Sequence, residues 1–298
     1  MSTQFTLSCC STVDVPYEHL VQRQIPVLFY TYVVDGREYV DDMGRDPQAL
    51  PQFYRFLQEG KLPLTSQINV ATYVEFFEQQ LQEGDLLHIA FTSGQSGSVN
   101  NAYIAAETLR EKYPERKIQV IDSLCSSSGY GLLVDEAADR RDAGQTLEEV
   151  ARWVLENRNR VHHQFFSSDM TQFRRTGRVS GAAAMVATVL NICPIMRLND
   201  EGRIIAYDKV RGKKKAVAVT VENMLQHAQG GADYSGRCYL CNSACPEDAR
   251  LLTDAIEEKF PHLRGKIVQC DIGTIIGSHA GKGTVAVFFL GDERPHME

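Results

Sequence analysis

The chain has 298 residues, 43% of them hydrophobic and 23% charged, which suits a soluble globular protein of about two domains and excludes a disordered one. Its net charge of −7, from 31 basic and 38 acidic residues, disfavours non-specific binding to nucleic acid or to an anionic membrane surface. No stretch approaches the roughly 20 apolar residues of a membrane helix, so no stable membrane insertion is expected. The beginning from Met1 to Leu7 has none of the charged start, apolar run and cleavage site of a signal peptide, and a cytoplasmic location is expected.

Short apolar segments alternate with amphipathic ones. Strands are predicted at Phe5–Cys9, Val27–Val34, Leu86–Phe91, Ile118–Ile121, Gln164–Ser168, Cys238–Cys241, Lys266–Cys270 and Val285–Leu290. After Asn69, the residues Val70, Tyr73, Val74, Phe77 and Leu81 recur at helical spacing. A second helix follows Ser96, with Val99, Ala102, Tyr103, Ala106 and Leu109 on one face, and Pro114 ends it. A third opens on the capping-box pair Thr146 and Glu149. Alternation of this kind predicts an α/β fold with a mainly parallel sheet in its first part. The polar run Glu156–Arg160 marks a boundary between a domain at 1–160 and a second α/β domain at 161–298, with a frayed tail after Gly291.

Two polar segments are candidates for chemistry. Leu62-Pro63-Leu64-Thr65-Ser66-Gln67 is a stiffened loop before a helix, and Phe91-Thr92-Ser93-Gly94-Gln95-Ser96-Gly97-Ser98 leaves a buried strand and enters a helix. In open α/β sheets ligands bind at the carboxyl ends of strands, and a helix start offers free N–H groups to an anion. Taken alone, Ser96 also reads as a helix cap and Thr65 and Ser66 as turn residues. Gly94-Gln95-Ser96-Gly97-Ser98 approaches the G-x-S-x-G nucleophile elbow of serine esterases, but its last residue is serine and no acidic partner stands out. Gly277-Ser278-His279-Ala280-Gly281-Lys282-Gly283-Thr284 has the wrong spacing for a phosphate-binding loop. Among the eight cysteines, Cys238, Cys241 and Cys245 have a tolerable metal spacing with no evident fourth ligand, so no metal and no cofactor is predicted. The basic runs Arg174-Arg175-Arg178 and Arg211-Gly212-Lys213-Lys214-Lys215 read as solvated faces or as a docking surface.

Several of these pieces occur together in a fixed order. After Thr65-Ser66-Gln67 and Thr92–Ser98 come Ile121-Asp122-Ser123, Thr176-Gly177-Arg178-Val179-Ser180 and Leu190-Asn191-Ile192-Cys193-Pro194-Ile195. Lys209-Val210-Arg211 and Ile276–Gly283 complete the series. In this order and spacing, over almost its whole length, the chain resembles the DegV family of bacterial fatty-acid-binding proteins. It departs from that pattern at Ser8-Cys9-Cys10-Ser11, where the family has Thr-Asp-Ser, at Cys193 in place of a lysine, and at Ser98 in place of a threonine.

The resemblance implies a long-chain fatty acid, such as palmitate, stearate or oleate, held in a buried tunnel between two α/β domains. It implies that Thr65, Ser96 and His279 bind the carboxylate, with Ser66, Ser93 and Gly97 in support. Arg211 and Arg178 are then expected to face the carboxylate, a phosphate placed on it, or a partner. That partner would be the ATP-binding subunit of a fatty acid kinase, which makes the acyl phosphate, so the chain itself is not expected to be an enzyme. A carrier or sensor without a kinase is the alternative the resemblance leaves open.

Overall fold

The computed structural model describes residues 5–180 and 191–296, apart from the side chain of Ser180. Leu190, one of the motif residues, lies outside that description. Four strands form a wholly parallel sheet in the order β2-β1-β6-β7, from Phe5–Cys10 (β1), Val27–Leu28 (β2), Asp85–Ala90 (β6) and Ile118–Asp122 (β7). Its strands are apolar on both faces (Leu86, Leu87, Ile89 and Ala90 are all buried), as a parallel sheet covered on both sides requires. The helices Val70–Glu83 (α3) and Ser98–Lys112 (α4) pack against one another, and α3 also packs on β6. The Asn69 side chain caps α3 by accepting from Thr72 N–H at 2.9 Å. Leu147–Asn157 (α6) carries the capping box predicted from Thr146 and Glu149.

The predicted strand Val27–Val34 is two strands in two sheets. Val27–Leu28 joins β1, whereas Thr31–Val34 (β3) pairs antiparallel with Arg37–Val40 (β4) and with Leu64–Thr65 (β5) in a small three-stranded sheet. Between them the chain is held by side chain and backbone instead of a ladder: Tyr30 N–H donates to Ser11 Oγ at 3.1 Å, and Tyr30 C=O accepts from Asp41 N–H at 2.9 Å. The loop expected around Thr65 is therefore pinned by strand pairing, with Thr65 opposite Tyr32.

Among the described residues the second sheet has seven strands, in the order β13-β12-β14-β8-β10-β11-β9, and is mixed. Val161–Ser167 (β8) lies antiparallel between Ile192–Leu198 (β10) and Thr284–Leu290 (β14). Val179–Ser180 (β9), Ile204–Arg211 (β11), Cys238–Asn242 (β12) and Val268–Asp271 (β13) complete it. The β10–β11 hairpin carries a bulge between Ile195 and Met196.

Ser127–Asp142 (α5) lies behind both sheets and touches β1, β8, β12 and β14. It is buried almost all round, so it presents no apolar stripe of the kind that marks a surface helix. Gly131 carries no side chain where a Cβ would meet Val15 Cγ1 at 2.7 Å, and Gly129 none where one would meet the His163 ring. The remaining helices are Tyr17–Gln22 (α1), Ala49–Gln58 (α2), Thr171–Thr176 (α7), Lys213–His227 (α8), Pro246–Lys259 (α9) and Thr274–Ala280 (α10). One continuous apolar cluster joins α5 and the first sheet to one face of the second sheet, and a smaller one under α8 and α9 fills its other face.

The expected fraying after Gly291 is corrected by Arg294, which is 3% exposed. Its backbone N–H donates to Asn159 C=O at 2.9 Å, and its Nη2 donates to Leu124 C=O and to Asn159 Oδ1, each at 2.9 Å. Backbone acceptors left open by α6 and the loop after β7 hold this segment, which a composition-based reading cannot register.

The tip of the β10–β11 hairpin is pressed against the Thr92–Ser98 loop. A Cβ on Gly94 would sit 2.4 Å from the Gly202 carbonyl carbon and 2.5 Å from Glu201 O. Gly94→Ala is therefore expected to cost about 1–3 kcal/mol in denaturant unfolding, as an overpacked backbone contact. The control Gly84→Ala, where nothing lies within 4 Å, should stay within about 0.5 kcal/mol of the parent.

Candidate functional site

Thr65 leaves β5 half-buried and meets α10 from the far end of the chain, where Thr65 Oγ1 and His279 Nε2 are 2.9 Å apart. The start of α10 is fixed from the first half of the chain. Asp41 Oδ1 accepts from Thr274 N–H at 3.2 Å and from Thr274 Oγ1 at 2.7 Å, and Asp14 Oδ1 accepts from Gly273 N–H at 3.1 Å. Burial, together with the proximity of these two carboxylates, pushes Asp14 well above the usual range, and burial pushes Asp41 up as well.

The Thr92–Ser98 loop approaches from β6. Asp122, at the end of β7, accepts from Ser93 N–H at 3.1 Å and from Leu124 N–H at 3.0 Å, so one carboxylate oxygen pins two adjacent loops. Thr92 Oγ1 accepts from Gly94 N–H at 3.0 Å, and Gln95 Nε2 donates to Gly202 C=O at 3.1 Å. Ser96 Oγ accepts from Ser98 N–H at 3.2 Å. The N-cap of α4 is Gly97, so Ser96 does not make the cap expected of it; its local bond occupies a lone pair and leaves the hydroxyl hydrogen available to a ligand. Gly97 lets Gln67 close on the loop, since a Cβ there would meet Gln67 Nε2 at 3.0 Å.

Thr65, Ser66, Ser96, Gly97, His279 and Arg178 all line one partly open cavity. Phe165, Phe173, Leu198, Ile204, Ile272 and Phe288 line the same cavity, with Ser126, Ser127 and Thr284 as further polar members. His163, deeper along the same wall, is fully satisfied: its Nε2 accepts from Ser126 N–H at 3.1 Å, so its Nδ1–H donates to Val161 C=O at 3.0 Å. Burial holds His163 well below its ordinary value, and it contributes a neutral surface.

His279 is also held neutral. Burial, and after it the charges of Arg178 and Arg175, push it down to about 4. Its Nδ1 is buried without a hydrogen-bond partner, and among the described residues no carboxylate orients the ring. A serine-esterase triad through Ser96 is therefore not assembled, because His279 bonds Thr65 and has no acidic partner among them.

Two expected residues stand elsewhere. Ser93 is exposed and outside the cavity, and its part is the backbone bond to Asp122. Arg211 ends β11 at the far side of the hairpin from Ile204, seven residues along the strand, and is exposed and absent from the lining. At about 3.3 Å per residue that separation along the strand is on the order of 20 Å from Ile204. Tyr30 carries no sequence signal for the site, yet belongs to it. It is 3% exposed, lines the cavity, and among the described residues its hydroxyl has no hydrogen-bond partner although Ser98, Tyr73 and Ser96 lie close. The thiols at Cys238 and Cys241 are buried and pushed up by burial, as core residues are.

A family model described as "Uncharacterised protein, DegV family" matches residues 10–292. A DegV domain-containing protein of Clostridium perfringens is 35% identical over 294 residues, covering 98% of this chain and 99% of that protein. A Thermus thermophilus DegV family protein whose structure is described by its fatty acid binding superposes with a TM-score of 0.83 at 25% identity, over 97% of this chain and 100% of its own. A DegV lipid-binding protein from Thermotoga maritima shares the fold with a TM-score of 0.84 at 24% identity, over 98% and 99% of the two chains.

The low value of His279 has a consequence for stability. The unfolded chain takes up a proton at this residue near 6.5, whereas the folded chain does so only near 4. Its neutral burial thus favours folding above about 6.5, and that advantage is lost as pH falls to about 4. Replacing His279 by Gln should remove this component, so the stability difference between parent and variant should shift in favour of the variant by on the order of 3 kcal/mol between pH 7 and 4, read by urea unfolding.

Proposed function

The chain belongs to the DegV family, and from that membership we propose that it binds one long-chain fatty acid with the carboxylate at the Thr65–Ser96–His279 end of the cavity. The observation that carries this reading is the cavity itself, whose lining combines the hydroxyls of Thr65 and Ser96 with a majority of apolar wall. Burying roughly fifteen methylenes at ~0.8 kcal/mol each supplies on the order of 12 kcal/mol, partly offset by ordering the ligand. A bare carboxylate in such a cavity would cost several kcal/mol, so its donors decide whether the acid enters. If His279 Nε2–H donates to Thr65 Oγ1, the Thr65 hydrogen is free to point at the carboxylate, as the Ser96 hydrogen is. Tyr30 offers a third hydroxyl beside them. On this reading the halves 1–160 and 161–298 are two domains with the ligand between them.

The bound acid, in our proposal, is then presented to a separate ATP-binding kinase subunit, which phosphorylates the carboxylate. Neutral hydroxyl donors leave an oxygen nucleophilic, which a bidentate arginine clamp would not. Arg178 at the rim suits the incoming phosphate, and the exposed Arg211, Lys214 and Lys215 suit a docking surface away from the ligand. Lys213 is less available because its Nζ is 2.6 Å from Asp248 Oδ2.

Mass spectrometry of lipids released on denaturing the purified protein should find one fatty acid per chain. Ser96→Ala and Thr65→Val should each weaken binding by ~1–3 kcal/mol, and Tyr30→Phe by ~1 kcal/mol, in titrations with a fluorescent fatty acid. Unchanged affinity in both Ser96→Ala and Thr65→Val would sink the assignment. Charge reversal of Arg211, Lys214 and Lys215 to Glu should slow kinase-coupled turnover at low salt while leaving fatty-acid affinity intact. Unaltered turnover would remove the docking role.

A further inference from the structure

Away from the cavity, three metal-type donors converge near the end of β14. His162 stands in β8, His227 is the last residue of α8, and Asp292 follows β14. His162 Nε2 lies 2.9 Å from Asp292 Oδ1, and His227 Nδ1 lies 3.1 Å from each Asp292 carboxylate oxygen. The two imidazoles stack with centroids 5.0 Å apart and planes inclined by 21°. One ligand atom from each residue falls within 4.8 Å of the other two.

The backbone holds this convergence in place. Asp292 N–H donates to His227 C=O at 3.1 Å, and Gly291 N–H donates to Arg160 C=O at 2.8 Å. Only glycine permits the approach, because a Cβ at Gly291 would lie 2.1 Å from His227 O and 2.8 Å from His162 Cδ2. Packing of the main chain thus places the Asp292 backbone beside both rings.

We propose that His162, His227 and Asp292 form a divalent-cation site, with zinc as the best-matched ion. Two imidazoles and one carboxylate are a zinc donor set that leaves a fourth position for water. Bonds of about 2.0–2.1 Å to a tetrahedral ion place neighbouring ligand atoms about 3.3 Å apart. The separations of 2.9 and 3.1 Å to Asp292 lie close to that value, and the two ring nitrogens stand within 4.8 Å of one another. Asp292 is 58% exposed while His162 is 2% exposed, so the ion has an approach from solvent and a buried anchor. His162 Nε2 also lies 3.0 Å from the Asp292 main-chain oxygen, and on binding the ion displaces this contact together with those to the carboxylate. The buried guanidinium of Arg294 is nearby and moderates the affinity without occupying the donors. Zinc here would fasten the exit of β14 to β8 and α8.

Isothermal titration of Zn²⁺ into the full chain after chelator treatment should show one saturable equivalent. His227→Gln and Asp292→Asn should each weaken it at least tenfold, and Co²⁺ should give the visible absorption of a four-coordinate nitrogen and oxygen site. Fatty-acid uptake should be unchanged in both variants. No saturable uptake of Zn²⁺, or uptake unaltered in both variants, overturns the proposal and leaves the three residues as a hydrogen-bonded cluster. Thiolate-to-cobalt charge-transfer bands would likewise overturn it by placing the ion on the cysteines.

Discussion

The hydrogen bond between Thr65 and His279 joins residues separated by 214 positions, and much of the fold is arranged so that it can form. Thr65 reaches it because β5 pairs with β3, which fixes its backbone opposite Tyr32. His279 reaches it because Asp14 and Asp41, both from the first part of the chain, hold the N–H groups at the start of α10. Gly273 has to be glycine for this, since a Cβ would lie 2.6 Å from Asp14 Oδ1. Two buried carboxylates close together are costly in isolation. Here each accepts from backbone or hydroxyl donors, and the cost is met by seating a short helix that could not hold its position through its own hydrogen bonds.

The parts legible in the sequence were those with a local signature. The capping box at Thr146 and Glu149, the apolar faces of α3 and α4 and the strands of the parallel sheet all announce themselves through periodicity or composition. The helix α5 did not, because it is buried on nearly every side and its Ser127, Ser128, Gly129 and Gly131 resemble a loop. The break between β2, which ends at Leu28, and β3, which starts at Thr31, was equally hidden. Val27 to Val34 is one apolar run in sequence, and only the bonds of Tyr30 to Ser11 and Asp41 divide it. Asp122 was visible as part of a motif, but its service to Ser93 and Leu124 at once depends on where β7 ends. Tyr30 gave no signal at all, since an aromatic residue in an apolar run reads as core.

The same division applies to charge. Arg178 and Arg211 look alike as basic residues in family motifs, yet one borders the cavity and the other ends a strand on the exposed side of a hairpin. Strand register decides between them, and register is set by pairings such as Ile192 with Arg211 that no local pattern specifies.

Cys10 stands where the family pattern that the chain resembles has an acidic residue. The Cys10 thiol is buried, with Tyr73 Oη at 3.8 Å and His88 Nε2 at 3.6 Å, and burial pushes it up to about 12. His88 is itself pushed down to about 3 by burial, so neither group carries charge near neutral pH. Tyr73 in turn lies 3.1 Å from Ser98 Oγ, which connects this neutral cluster to the loop that bears Ser96. A carboxylate in that position would place a negative charge behind the hydroxyls and oppose an anionic ligand through a low-dielectric interior. With a thiol there, that position is uncharged, and the charges felt at His279 are those of Arg178 and Arg175. Replacement of the acidic residue is therefore compatible with an anion-binding mouth, because what it removes is repulsion.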